Sequence, residues 1–537
     1  MKFNQKILAI SLCAVMMTAC SKKAQEATTD LQAPMGSPSH HQLTDAATEQ
    51  SPAYGTEGNT ENYQKIDTNT VKSVAQQPIS TFSADVDTGS YTNVRRFLLS
   101  EKMLPPADAI RVEEMINYFD YQYPPANGVH PFAVSTETVD SPWQPNAKVI
   151  KIGLKAKDID QNNLTPANLV FLVGVSGSMD EPNKLPLVKK TLTILTQQLR
   201  PQDKVTLITY SDGDKMVLAP TSGEKKYKIL QAIDDLVAGG GTAGAHAIDM
   251  AYQAAEQAYI KEGINRILIM TDGDFNVGVT DFDALKTMIE QKRKTGVSFS
   301  TLGFGSGNYD EQLMEQLADA GNGNYSYIDN ENEAKKVLDR QLSSTLATVA
   351  QDVKLQVEFN PKTVKEYRLI GYENRLLNED DFNNDKVDAG EIGAGHTVTA
   401  LYEIIPVGQK GWLNDSRYAQ DKKKSGKASE YAFLNIRYKL PNQSKSILMT
   451  QPIAVASKPL NQANVDTKFA IAVAAYGQQL RGGQYNASMG WNDILNLAQA
   501  GKQSDPYALK AEFIDLVEKA KNLSGDQTKS LQINKGT

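Results

Sequence analysis

The sequence predicts an α/β protein: a doubly wound, mostly parallel sheet unit inserted into a β-sandwich, followed by a helical C-terminal region. Three observations carry this. Leu169–Val173 is an unbroken apolar run that feeds a Gly/Ser turn and then a helix, the pattern of a strand buried on both faces. Ile267–Met270 repeats it and ends in Thr271-Asp272-Gly273. After Ala350 the period changes, and Val353–Phe359 alternates cleanly, as a half-buried strand does.

The length of 537 residues exceeds one ordinary domain. Hydrophobic residues make up 40% and charged residues 22%, a globular balance. The net charge of −7, with no basic stripe, argues against nucleic-acid binding. At the start, Lys2 and Lys6 precede the apolar run Ile7–Met17, too short to span a membrane. The run closes on Met17-Thr18-Ala19-Cys20, which resembles a bacterial lipoprotein signal. That resemblance implies a removed segment 1–19, lipidation of Cys20 and an anchored mature chain. Ser21 is not the Asp that marks inner-membrane retention, so the resemblance implies the outer membrane. The other cysteine, Cys13, lies in the removed segment; no disulfide and no Cys nucleophile are expected.

Residues 20–75 are rich in Ser, Thr, Gln, Ala and Pro and read as a disordered tether. His40-His41 within it reads as incidental. Residues 76–166 form a helical and β region. Asp87-Thr88-Gly89-Ser90 matches an aspartic-protease motif, but that chemistry needs a second, paired Asp. The stretch reads instead as a turn capping a helix over Tyr91–Leu99. A helix Val112–Phe119 and strands Phe132–Thr136 and Val149–Leu154 follow.

Residues 167–350 alternate strands and helices. Val188, Leu192, Leu195 and Leu199 define one face of the first helix, and Ile248, Tyr252, Ala255 and Tyr259 one face of a later one. Strands at Val205–Tyr210, Met216–Leu218, Asn265–Thr271, Val297–Leu302 and Tyr325–Ile328 are interleaved with helices at Tyr227–Leu236, Phe282–Lys294, Glu311–Ala320 and Glu331–Ala350. Residues 351–460 are β-rich, with strands at Thr397–Ile405, Ala432–Leu440 and Ser446–Ile453. Residues 461–537 are helical, with Leu509, Phe513, Leu516, Ala520 and Leu523 on one face. The strands before residue 167 need partners. Pairing with those after 350 inserts the α/β unit into the sandwich, a topology that resembles the hybrid domain of integrin β chains.

The polar residues at the strand ends suggest a site, because open α/β sheets bind ligands at their carboxyl edge. Ser176 and Ser178 follow the first strand, Thr242 sits in the loop Gly239–Gly244, and Asp272 ends the second strand. Hydroxyls and carboxylates are hard oxygen ligands suited to Mg²⁺ or Mn²⁺. This ordered set resembles the von Willebrand factor type A (VWA) family, whose metal-ion-dependent adhesion site reads Asp-x-Ser-x-Ser, then Thr, then Asp. The match holds at Ser176, Ser178, Thr242 and Asp272 and fails at the first Asp, where Gly174 stands. The flanking regions resemble YfbK-type VWA lipoproteins. The resemblance implies a non-enzymatic protein-binding module, with a partner's acidic residue completing a metal's shell. Gly174 removes one carboxylate, so binding with and without metal both stay open.

Other readings compete. The sandwich and tail could do the binding, making the chain an envelope scaffold with a vestigial VWA site. Gly174-Val-Ser176-Gly-Ser178 nearly matches the Gly-x-Ser-x-Gly elbow of serine hydrolases, but Ser178 stands at the last Gly, and of the available His246 and His396 the first falls out of triad order. Asp380–Glu391 is acid-rich, yet Lys386 and Ile392 break the Ca²⁺-loop pattern. Phe275 and Phe304 are candidate exposed contacts for a partner.

Overall fold

The computed structural model describes residues 61–534 apart from 85, 160–163, 242–244, 274–281, 345–347, 415–426, 442, 488, 504 and 506. The VWA unit is a six-stranded sheet. Its order is Tyr325–Ile328, Ser298–Phe304, Ile264–Thr271, Ala167–Gly174, Lys204–Tyr210 and Asp214–Ser222. All neighbours are parallel except the last pair. Every residue of Ala167–Gly174 is buried, which is why its sequence shows no alternation. Val188, Leu192 and Leu195 of helix Leu185–Gln198 pack on one face, and Ile248, Tyr252 and Ala255 of helix Ala245–Gln257 on the other. Burying each such side chain stabilises by about 1.5–3 kcal/mol. Tyr259 falls beyond its helix and is exposed, so the periodic face ends at Ala255. Phe304 is fully buried in the first of these cores rather than exposed to a partner; Phe275 lies outside the described residues.

The insertion is visible in the strand register. Lys148–Ala156 pairs antiparallel with Thr397–Pro406, and Ile79–Ser83 with Thr348–Phe359. Strands from both sides of the VWA unit thus build two sheets around one core, with Ile152, Leu154, Leu355, Val357, Tyr402 and Leu434 between them.

Two further expectations are corrected. Helix Glu331–Ser344 stops before the expected Ala350, and a strand begins at Thr348. The β-branched Thr348 and Val349 disfavour helix, and Ala350 is buried against the sandwich, paired with Ile392. The segment 61–75, expected to belong to the tether, is packed. Glu61 pairs with Arg96 at 2.8 Å and accepts from the Gly307 N–H at 2.8 Å, and Val74 is buried in the sandwich core. Single anchors of this kind leave no periodic signal. A strand that the sequence pattern hides is Val364–Ile370, which carries Lys365, Glu366 and Arg368. It pairs with Thr397–Pro406, and its buried Arg368 is neutralised there by Glu403 at 3.0 Å.

Helices Val465–Leu480, Trp491–Gly501 and Leu509–Asn534 share one core with the early helices Gly89–Arg96 and Val112–Asn117. Phe119 meets Phe469 and Phe513 edge-on, at 4.9 and 5.6 Å between ring centres. Arg95 ties this layer to the VWA unit, reaching Asp329 at 2.5 Å, Glu333 at 2.8 Å and Glu512 at 2.9 Å. Asp87, of the protease-like stretch, accepts from the Tyr325 N–H and pairs with Arg375 at 3.0 Å, so its carboxylate joins parts of the fold.

Candidate functional site

The register Val173↔Met270 brings the carboxyl ends of two central strands level. The backbone beyond them is fixed by loop-to-loop bonds: Val175 N–H to Tyr210 O at 3.0 Å, Gly239 N–H to Val175 O at 2.8 Å, and Gly177 N–H to Gly240 O at 2.9 Å. Ser176 and Ser178 are brought together, their hydroxyl oxygens 2.9 Å apart. Thr242 and Cys20 lie outside the described residues.

Asp272 is buried, and Lys184 meets it. The Lys184 ammonium donates to Asp272 Oδ2 at 3.1 Å and to Asn308 Oδ1 at 3.1 Å. Asn308 Nδ2 donates to the same Asp272 oxygen at 3.2 Å. The Lys184 and Asp272 side chains are 3% and 2% exposed. Lys184 caps the amino end of helix Leu185–Gln198, where the helix dipole disfavours a cation. A carboxylate partner offsets that cost. Its stem runs beneath Gly305, whose φ is +81°; a Cβ there would lie 2.5 Å from Lys184 Cγ and Cε.

Gly174 faces Tyr210. A Cβ at Gly174 would stand 3.0 Å from the Tyr210 hydroxyl, so the space next to the position of the family's first carboxylate is taken by a phenol. VWA domains commonly bind a divalent metal. The motif residues here do not fit one well. Mg²⁺ is usually held through one or two carboxylates, and the motif's remaining carboxylate is already engaged by a buried ammonium.

Two carboxylate groups elsewhere are close enough to hold a metal: Glu114, Glu311 and Glu315, and Asp352, Asp388 and Glu391. Each also contains cations. Arg111 reaches Glu311 at 3.1 Å, and Arg375 reaches Glu315 at 2.9 Å. Arg293 pairs with Asp388, and Lys439 with Asp352 at 2.5 Å. Burial pushes the Glu311 carboxyl up to about 8, with Arg111 opposing. The acid-rich loop therefore contributes to ion pairs that join the sandwich to the VWA unit. Of the hydrolase candidates, His246 Nδ1 is turned to Asp214 Oδ2 at 2.5 Å.

Sequence reasoning missed Lys184 and gave Asn308 no place at this site. A lysine at a helix amino end, against the dipole, was the available signal.

The von Willebrand factor type A domain family matches residues 168–340, a von Willebrand factor family matches 57–151, and the C-terminal family of uncharacterized protein YfbK matches 344–523. Uncharacterized protein YfbK of Escherichia coli (strain K12) is 47% identical over 470 residues, covering 86% of this chain and 81% of that one. The chain belongs to the YfbK family. Human inter-alpha-trypsin inhibitor heavy chain H4 is 29% identical over 161 residues, covering 28% of this chain and 17% of that protein. A solved structure of von Willebrand factor type A from Catenulispora acidiphila is 17% identical, covers 71% of this chain and 89% of its own, and aligns with a TM-score of 0.40. The VWA unit of this YfbK-family chain places it among modules associated with protein–protein interaction and adhesion.

Proposed function

We propose that this chain is an envelope lipoprotein, anchored through Cys20 on the outer membrane, whose VWA unit binds a protein partner at the carboxyl edge of its sheet. The gathering of Ser176, Ser178, Asp272 and Asn308 at that edge carries the reading. The lipoprotein-like start supports the anchor. No described helix is long and apolar enough to cross a membrane. The Lys184–Asp272 pair favours recognition without Mg²⁺ over the metal-dependent form. The proposed role is binding rather than catalysis, and the Ser176 hydroxyl is hydrogen-bonded to Ser178.

Two experiments test this. Radiolabelled fatty acid should enter the chain and be lost in Cys20→Ala; labelling that survives overturns the anchor. Cross-linked partners should be lost in Ser178→Lys and Asp180→Arg, and kept in Leu448→Lys on the exposed sandwich edge. The reverse pattern would favour the scaffold reading. Labelling of Ser176 by a serine-reactive phosphonate would restore the hydrolase.

A further inference from the structure

We propose that Asp352, Asp388 and Glu391 form a Ca²⁺ site where the chain passes from the VWA unit back into the sandwich. The site is separate from the strand-end residues above, and testing it needs no partner.

Helix Glu331–Ser344 closes the VWA unit, and strand Thr348–Phe359 begins the return. In that strand the register slips between Ala350 and Val353, and Asp352 takes φ +51°. Such a bulge re-aims a side chain out of the strand's alternation. Asp352 Oδ1 accepts from the Ala389 N–H at 3.2 Å, so it meets the end of the acid-rich loop. One oxygen from each of Asp352, Asp388 and Glu391 lies within 4.8 Å of the other two. Ca²⁺ takes about six to eight oxygens at about 2.3–2.6 Å, so oxygens this close can share one ion. The Ca²⁺-loop pattern fails in the sequence because it expects its ligands from a single loop. In the fold, the third carboxylate comes from a strand before that loop.

An oxygen with nothing to hold marks the site. Glu391 Oε1 is sealed from solvent and has no hydrogen-bond partner, a costly state for a buried acceptor. Arg293 pairs with Asp388, and Lys439 with Asp352 at 2.5 Å, but no such cation meets Glu391 among the described residues. Lys354 donates instead to the carbonyls of Asp381 and Asn384, and Arg266 to Ser300 Oγ. Three carboxylates are thus met directly by two cations. Arg293 also donates to Asn322 Oδ1 at 2.5 Å, and Lys439 to the Asp385 carbonyl at 2.7 Å, so an ion can join the carboxylates without stranding either. The other carboxylate group differs, because buried Arg111 lies 3.1 Å from Glu311 and 3.6 Å from Glu315. A cavity of about 210 Å³ opens beside Asp388 and Glu391, and Asp87, Asn324 and Asn374 also line it. A polar cavity of this kind holds water, which Ca²⁺ accepts alongside carboxylates. Once bound, the ion ties the acid-rich loop to the first strand of the return.

The test is a Ca²⁺ titration of the chelator-treated full chain by calorimetry, with Mg²⁺ beside it and melting curves with and without Ca²⁺. The site variants are Glu391→Gln, Asp388→Asn and Asp352→Asn; asparagine keeps the positive φ at 352 accessible. Asp272→Asn and Glu311→Gln are controls for the strand-end site and the other carboxylate group. The full chain should bind Ca²⁺ more tightly than Mg²⁺, and its melting temperature should rise with Ca²⁺. The site variants should weaken Ca²⁺ binding at least tenfold and lose that rise, while both controls keep it. No Ca²⁺ uptake at millimolar concentration overturns the proposal. So does Ca²⁺ binding that survives in the site variants, or that is lost in a control instead. If Glu391→Gln does not fold, Asp388→Asn decides, since that side chain is 44% exposed and its replacement leaves the core intact.

Discussion

Removing Arg95 should cost this fold heavily. Its guanidinium reaches Asp329, Glu333 and Glu512; Glu333 is buried with it and the Asp329 side chain is 9% exposed. At an effective dielectric constant of about 20, two unit charges 2.8 Å apart attract by roughly 6 kcal/mol, and desolvation offsets much of that. Lys336 still holds Glu333 at 3.2 Å when Arg95 is gone, whereas Asp329 loses its guanidinium. Arg95→Met is therefore predicted to lose about 3–5 kcal/mol, the range for breaking a buried pair by removing one partner. The assay is urea unfolding followed by tryptophan fluorescence, with Asp329→Asn and the double variant beside it. The double variant should recover part of the loss, because a neutral amide in place of the Asp329 carboxylate no longer needs a counter-ion. The acid limb gives a second readout. Burial raises the Glu333 carboxyl, but Lys336, Arg95 and Tyr118 together outweigh it and hold the group down at about 2. A lowered carboxyl contributes stability above its unfolded value of 4.5, lost as pH falls towards 2. In Arg95→Met the folded value should rise towards 4.5, so the loss on acidification should be smaller and end at higher pH. A cost below about 1 kcal/mol, or strict additivity in the double variant, would refute the reasoning.

Two other outcomes are expected. The buried Glu311 carboxyl is raised to about 8, so it holds a proton in the folded state that the unfolded chain, with a value of 4.5, releases earlier. Its contribution is present below 4.5 and is lost as pH rises to about 8; Glu311→Gln should flatten the melting temperature across that window, measured by calorimetry. Gly305→Ala should destabilise by about 1–3 kcal/mol through backbone strain and the clash with the lysine stem. Adding Lys184→Ala should return part of that in a urea titration, because the clash is with Lys184.

The parallel sheet is legible in the sequence because a strand buried on both faces must be apolar throughout, and Ala167–Gly174 and Ile264–Thr271 are nearly so. The strand Val364–Ile370 is not, because its charges are neutralised by residues far along the chain, as Arg368 is by Glu403. The same limit applies to the site. Ser176, Ser178 and Asp272 fall into a recognisable order, each at the end of a strand. Lys184, Gly305 and Asn308 come from other loops, and only the folded sheet sets them beside Asp272. The short packed segment after Glu61 is hidden for a related reason, since its anchors are scattered polar contacts to distant residues and one buried valine.

The insertion also sets an order of assembly during synthesis. Strand Lys148–Ala156 cannot pair with Thr397–Pro406 until the whole VWA unit has been made. At about 5–20 residues per second, the roughly 240 intervening residues take about 10–50 s to emerge. The VWA unit can fold within that interval, while the first sandwich strands wait with unpaired edges. Slowing the folding of the inserted unit would prolong that exposure, so mutations deep in the VWA core should raise aggregation of newly made chains more than their effect on final stability alone would suggest.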